Sequence, residues 1–319
     1  MPPTDAFPRA PLARDQLLRF ELAWAPPYDW GWLLTFLSRR LIAGVECVGP
    51  QAYSRVVRLR DGGGWAIGQV DVRPCPSRAA LVVTLAPALA GVQAQALAGV
   101  RRLFDLDCAP GPVNAVLGEL AADAPGVRVP GAFDGFELAV RAILGQQVTV
   151  KAAHTLAGRL ALRFGDALPD SGPGLASCAL EPLSRAFPDA ARLAAALPEE
   201  LAACGLIRTR AAAIQAMARA VVDEGLVLAP GAPLEPTLAH LKSLRGIGDW
   251  TAQYVAMRAL SWPDAFPASD LILMRALGVR TAPQAAAISQ SWRPWRSYAV
   301  MHLWRRGTWP AAPPSRRRE

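Results

Sequence analysis

Short alternating runs of apolar and polar residues fill the first third of the chain. TyrSerArgValValArgLeu at 53–59, GlyTrpAlaIleGlyGlnVal at 64–70 and LeuValValThrLeu at 81–85 follow the two-residue period of β-strands. GlyGlyGly at 62–64 predicts a hairpin turn between the first two. Helical stretches are expected around 30–42 and 88–104. From about residue 113 onward apolar positions recur at helical spacing. Pro- and Gly-rich joints at 125–131, 168–174 and 229–236 cut that run into separate helices. Residues 1–17, rich in Pro, Ala and Arg, are expected to be a flexible extension, and 311–319 a basic flexible tail. The pattern predicts an α+β chain: an antiparallel sheet with helices over 18–112, then helices alone.

Composition narrows the picture without deciding it. A chain of 319 residues buries a substantial core and suggests two or three domains. Residues 79–100 carry no charge, but Pro87, Gly91, Gln93, Gln95 and many alanines make them too mild for a membrane span. No basic region followed by an apolar run opens the chain, so a cytoplasmic protein with no membrane partner is expected. The net charge of +8, almost all arginine, suits a polyanionic partner. A GC-rich genome would enrich arginine as well. Cys47, Cys75, Cys108, Cys178 and Cys204 show no paired spacing, which argues against a zinc ribbon, a disulfide framework or an iron–sulfur cluster. His154, His240 and His302 form no ligand motif.

The densest chemical signal lies at 244–271. LeuArgGlyIleGlyAspTrpThrAlaGlnTyr begins with a Gly-Ile-Gly hairpin and runs into a helix. Gly246 and Gly248 permit backbone angles and close approaches that a Cβ would hinder. Exposed N–H groups in such a turn, backed by a helix N-terminus, hold an anion. Asp249 is the expected N-cap of that helix. Trp250, Tyr254 and Met257 or Arg258 share one of its faces. Twenty residues after Trp250, ProAlaSerAspLeu places Asp270 at the start of another helix, with Ser269 as its expected cap. A carboxylate in a first turn is favoured by the helix dipole and stays ionised. A plain turn and a plain capping aspartate would show the same residues one at a time.

Taken together, these residues resemble the helix-hairpin-helix DNA glycosylase superfamily. ProProTyrAspTrp at 26–30, ArgAlaIleLeuGlyGln at 141–146 and TrpArgProTrpArgSerTyrAla at 292–299 narrow the resemblance to the DNA-3-methyladenine glycosylase II (AlkA) family, over about residues 20–310. The resemblance implies an N-terminal α+β domain and two all-α domains of the helix-hairpin-helix glycosylase fold. One helical domain is expected at 135–262. The other is discontinuous, formed by 113–134 and 263–310. It also implies a monomer that acts on double-stranded DNA with alkylated bases, flips the damaged purine out and hydrolyses its N-glycosidic bond.

The same resemblance gives residues their roles. Asp270 is the catalytic carboxylate, stabilising positive charge on the sugar or deprotonating the attacking water. Trp250, Tyr254, Trp304 and Phe36 line the base pocket, where electron-rich ring faces attract a cationic base. Gln146, Gln147, Gly246, Ile247, Gly248 and Thr251 contact DNA. Gln147 departs from the family's common apolar wedge, and two solvent-facing glutamines at a helix joint remain the alternative. Backbone carbonyls of Lys242, Leu244 and Ile247 fall where the superfamily binds a monovalent cation; no other cofactor is expected. Glycosylases that also cut the strand carry a lysine nucleophile where this chain has Trp250. The expectation is therefore a monofunctional enzyme. A glycosylase–lyase and a non-catalytic DNA binder are the rival readings.

Overall fold

The computed structural model describes residues 17–169 and 182–308. The extension through residue 16, the 168–174 joint from residue 170 onward and the 311–319 tail lie outside the described residues. Five antiparallel strands, β1 (Leu18–Ala23), β2 (Glu46–Val48), β3 (Tyr53–Asp61), β4 (Gly64–Cys75) and β5 (Ala80–Leu85), form a sheet in the order β1-β5-β4-β3-β2. The turn at residues 62 and 63 joins β3 to β4 with Asp61 opposite Gly64. Against the sheet lie α1 (Trp30–Ser38) and α2 (Gln93–Leu103), around a core holding Trp30, Tyr53 and Phe104. The helix expected over 30–42 ends at Ser38, because the chain must turn through Gly44, at φ +77°, to enter β2.

The helical part comprises α3 (Pro110–Leu117), α4 (Gly135–Leu144), α5 (Val150–Phe164), α6 (Ala190–Ala195), α7 (Pro198–Ala203), α8 (Arg208–Asp223) and α9 (Leu234–Ser243). It continues with α10 (Asp249–Arg258), α11 (Leu271–Ala276), α12 (Ala282–Ile288) and α13 (Arg296–Thr308). Two expected boundaries move. Pro110 opens α3, so one helix runs through the 112/113 border, and Arg306 of α13 donates to the carbonyls of Glu119 and Leu120. The joint expected at 229–236 gives way to α9 at Leu234. Pro236 is tolerated there, since first-turn N–H groups lack helical partners anyway.

Cys47 is disulfide-bonded. Cys75, Cys108 and Cys204 are free thiols. Among the described residues no helix is long and apolar enough to cross a membrane, and no group of His, Cys, Asp and Glu side chains forms a metal cluster.

Three of the motifs that carry the family resemblance brace this frame. In ProProTyrAspTrp, Asp29 caps α1 by accepting from the Trp32 N–H at 2.9 Å. Buried Arg128 donates to the carbonyls of Ala25 and Pro27, fixing where α1 starts. Arg141 donates to Glu46 at 3.0 Å and Glu137 at 2.9 Å, while Arg55 binds Glu137 at 2.6 Å. That buried quartet ties β2 and β3 to α4. Burial alone would raise the Glu46 carboxyl, but Arg141 and Arg55 outweigh it and hold it below its usual range. In the 292–299 motif, Arg296 grips buried Asp264, and the Ser297 hydroxyl donates to the Trp262 carbonyl and accepts from the Ala265 N–H. These bonds pin the loop from α10 to α11.

Candidate active site

That pinned loop delivers Asp270. Its side chain caps α11, Oδ1 accepting from the N–H groups of Ile272 and Leu273, each at 2.9 Å. The helix thus begins at Leu271 with Asp270 as its N-cap, and Ser269 stands exposed outside it, contrary to expectation. An Asp Oδ two residues before a first-turn N–H has the better reach. Two indoles complete the carboxylate's surroundings. Trp250 Nε1 donates to Oδ2 at 2.9 Å and Trp304 Nε1 to Oδ1 at 3.2 Å. Oδ1 therefore accepts three bonds and Oδ2 one. Oδ2 retains acceptor capacity toward the cavity that Asp270 lines.

The cavity measures about 590 Å³ and lies between α1, α4, α5, α10 and the Asp270 loop. This volume suits a purine base. All four expected pocket residues line it. Trp250 and Tyr254 stack with centroids 5.1 Å apart at 11°, Tyr254 meets Trp304 at 6.2 Å, and Trp304 stacks on Phe36 at 6.4 Å. Phe36 and Trp304 are buried, and Trp250 is half-buried, so its ring is the more accessible wall.

Sequence reading missed the arginines packed on these rings; Arg39, Arg40 and Arg141 line the cavity. The Arg40 guanidinium lies 3.7 Å from the Phe36 ring centroid, and that of Arg258 lies 5.0 Å from Phe36 and 5.4 Å from Tyr254. Arg258 is buried and donates to the carbonyls of Pro130 and Gly131 and to the Tyr254 hydroxyl. It shares Tyr254's face, one turn along α10. Burial acts to raise the Tyr254 phenol, but Arg258, Arg40 and Arg141 together bring it below its ordinary value. Burial brings Arg40 down to about 10, Tyr254 opposing and Arg258 and Arg141 reinforcing, so it stays charged at neutral pH. Two of the four faces expected to attract a cationic base, those of Phe36 and Tyr254, thus already carry cations. The signal was present in the Phe36/Arg40 and Tyr254/Arg258 spacings, each one helical turn.

The expected DNA-contact residues separate into two groups. Gly246, at φ +90°, Gly248 and Gln147 are exposed. A Cβ on Gly246 would stand 2.9 Å from Ala213 Cβ, whereas one on Gly248 would meet open space. Gly248, not Asp249, is the N-cap of α10, leaving Asp249 exposed in the first turn. Gln147 adopts φ +54° at the tip between α4 and α5, where a left-handed residue makes the turn. The other group faces inward. Ile247 and Thr251 are buried. The Gln146 amide donates to the Gly246 carbonyl and the Thr251 hydroxyl, both at 3.0 Å, lashing the α4–α5 loop to the hairpin. The side chains of Gln146 and Thr251 therefore position these loops.

At the hairpin, Lys242 sits in the last turn of α9 and the Leu244 carbonyl accepts from the Ile247 N–H at 3.0 Å. Last-turn carbonyls lack helical partners, and each carbonyl has a second lone pair. Uncharged oxygens of this kind suit a weakly held monovalent cation better than a divalent one.

Comparison with known proteins agrees with this arrangement. Residues 19–134 match the AlkA N-terminal domain, and 140–285 match the HhH-GPD superfamily of base excision DNA repair proteins. The chain is 38% identical to DNA-3-methyladenine glycosylase 2 of Escherichia coli K12, over 91% of this chain and 98% of that one. It is 36% identical to a probable bifunctional transcriptional activator/DNA repair enzyme AlkA of Mycobacterium tuberculosis, over 87% of this chain and 55% of that protein. Among solved structures, a 3-methyladenine DNA-glycosylase from Archaeoglobus fulgidus superposes with a TM-score of 0.75 at 22% identity, covering 91% of this chain and 98% of that one. That likeness shows the same overall fold over most of the chain. The chain belongs to the HhH-GPD superfamily of base excision DNA repair glycosylases, in the branch that carries an AlkA N-terminal domain.

Proposed function

We propose that this protein is a monofunctional alkylpurine DNA glycosylase, acting as a monomer on duplex DNA with 3-methyladenine, 7-methylguanine and related lesions, and leaving an abasic site. The observation that carries the reading is Asp270: a buried carboxylate, aimed by two indole N–H groups and a helix N-terminus into an aromatic cavity of base size. A flipped purine would lie in the cavity lined by Trp250, Tyr254 and Trp304 with its C1′ toward Oδ2. As the N-glycosidic bond breaks, its electron pair leaves with the base and positive charge develops on the sugar. Asp270 stabilises that charge, and water adds at C1′ and gives its proton to the carboxylate.

Gly246 and Gly248 bring the hairpin backbone close to a phosphate, and the first turn of α10 favours its charge. The carbonyls of Lys242, Leu244 and Ile247 would hold a monovalent cation there and so supply positive charge beside that phosphate. Gln147 is the residue offered to the gap left by the flipped base. In this reading 113–134 joins 263–310 in a discontinuous domain that carries Asp270 on one side of the cleft, and 135–262 forms the other side.

One observation favours a second reading. Lys151, in the first turn of α5, lines the same cavity, and an amine there could serve a lyase. The experiment is chromatography of bases released from methylated duplex DNA, with strand integrity followed in parallel. Release of 3-methyladenine with strands intact until alkali is added supports the monofunctional enzyme. Strand breaks without alkali, lost in Lys151→Ala, would establish the lyase, and DNA binding without base release would leave only a binder.

A further inference from the structure

The two ends of the base cavity are electrically unlike. Asp270 stands at one end. From it the contacts run through Trp304, whose indole donates to the carboxylate, to Phe36, stacked on Trp304 at 17°, and then to the Arg40 guanidinium at 3.7 Å. Arg39, Arg40 and Arg141 line the cavity and Arg258 packs on the Phe36 and Tyr254 rings, and the circumstances of the last three differ. Arg141 is compensated by Glu46 and Glu137. Arg258 is buried and bound to two carbonyls and the Tyr254 hydroxyl. Arg40 lines the cavity, is only half-buried, and pairs with no carboxylate among the described residues. Its Nη1 donates to the Phe36 carbonyl at 3.1 Å. A guanidinium offers five N–H donors in a planar fork, so donors remain for a guest.

Uncompensated positive charge at the base end opposes a base that enters already cationic. It favours a neutral base with a carbonyl on its outer edge, whose leaving group carries negative charge onto that oxygen. We propose that Arg40 is a specificity-determining residue that donates to the carbonyl oxygen of a neutral 6-oxopurine such as hypoxanthine, and so tilts base release toward it relative to cationic 3-methyladenine. The step balances simply. The water oxygen bonds C1′, the C1′–N9 bond breaks with its electron pair on the purine, the negative charge spreads to O6 against Arg40, and one proton of water ends on the departing base. Arg40 acts at the opposite end from Asp270, so the two divide the charge separation of the transition state between them.

This inference rests on the glycosylase reading and is tested apart from it. Single-turnover release of hypoxanthine from a deoxyinosine duplex and of 3-methyladenine from methylated duplex is measured for wild type, Arg40→Met and Arg40→Lys, with thermal midpoints to verify folding. Arg40→Met is expected to lower the ratio of hypoxanthine to 3-methyladenine release at least ~10-fold, since losing a hydrogen bond to the base penalises only the base that uses it. Arg40→Lys, which keeps the charge on a different geometry, should restore part of the ratio. An equal fall for both bases, as a phosphate contact or lost packing would give, overturns the proposal. So does wild type that releases 3-methyladenine but no hypoxanthine, which leaves the glycosylase reading standing. Folded wild type that releases neither base overturns both.

Discussion

Trp250 and Asp270 are twenty residues apart in sequence, and the indole N–H of one lies 2.9 Å from the carboxylate of the other. The aromatic wall of the cavity therefore also aims its carboxylate. Trp250→Phe keeps a ring beside the base and removes that donor. A hydrogen bond to a charged group contributes roughly 1.5–3 kcal/mol. Base release should fall ~10-fold or more, with DNA affinity nearly unchanged. Single-turnover rates beside equilibrium binding check this, and an unchanged rate would remove Trp250 from the aiming role.

The hairpin glycines are expected to respond differently to the same change. Gly246→Ala meets both a positive φ and Ala213 at 2.9 Å, so it should lower the thermal midpoint as well as DNA affinity. Gly248→Ala has open space and extended backbone, so the fold should keep its midpoint while affinity drops, because the new methyl faces the phosphate. Calorimetry and salt-dependent binding separate the two. Full affinity in Gly248→Ala would place the phosphate elsewhere.

Gln147 stands exposed in a left-handed turn, as a residue that enters a duplex would need to. Gln147→Ala should slow release from duplex ~10-fold and change release from single strands little, since only stacked bases must be flipped. Equal effects on both substrates would deny it the wedge role.

Asp105 lies away from the cavity, where burial raises its carboxyl to about 7, partly opposed by the Val129 N–H and Arg128. The folded state thus holds this proton more tightly than the unfolded chain. Its contribution is most favourable below about pH 4, is lost as pH rises to about 7, and remains a constant penalty above that. Asp105→Asn keeps a residue suited to φ +50° and should stabilise the protein at pH 8, by on the order of 1 kcal/mol, and less at pH 5. Denaturant melts at the two pH values check the sign, and a mutant less stable at pH 8 would contradict it.

Much of this site was legible in the sequence, for stated reasons. Asp270, Trp250 and Tyr254 lie within one contiguous stretch whose helical spacing and glycines have few alternative uses. The β-patterned runs mark three of the sheet's strands, although β3 and β4 each bury five consecutive residues rather than alternate ones. Arg40 and Arg258 were not read as pocket residues because an arginine in a basic chain looks like a solvated charge. The overlooked signal is the one-turn spacing that sets Arg40 beside Phe36 and Arg258 beside Tyr254. Gln146 and Thr251 adjoin the loops expected to meet DNA, and their side chains bind each other across those loops. Neighbourhood in sequence locates a loop but does not say which way its residues face.

The central claim is that the Asp270 carboxylate performs the chemistry, and Asp270→Asn tests it most directly. Asparagine caps a helix nearly as well as aspartate, so α11 and the cavity should persist. Wild type and variant are compared for 3-methyladenine release from methylated duplex under single-turnover conditions, with DNA affinity measured in parallel. The account predicts affinity within a few-fold of wild type and release slowed by at least ~100-fold, the scale of one lost electrostatic or general-base contribution. Release at the wild-type rate with binding intact would contradict it.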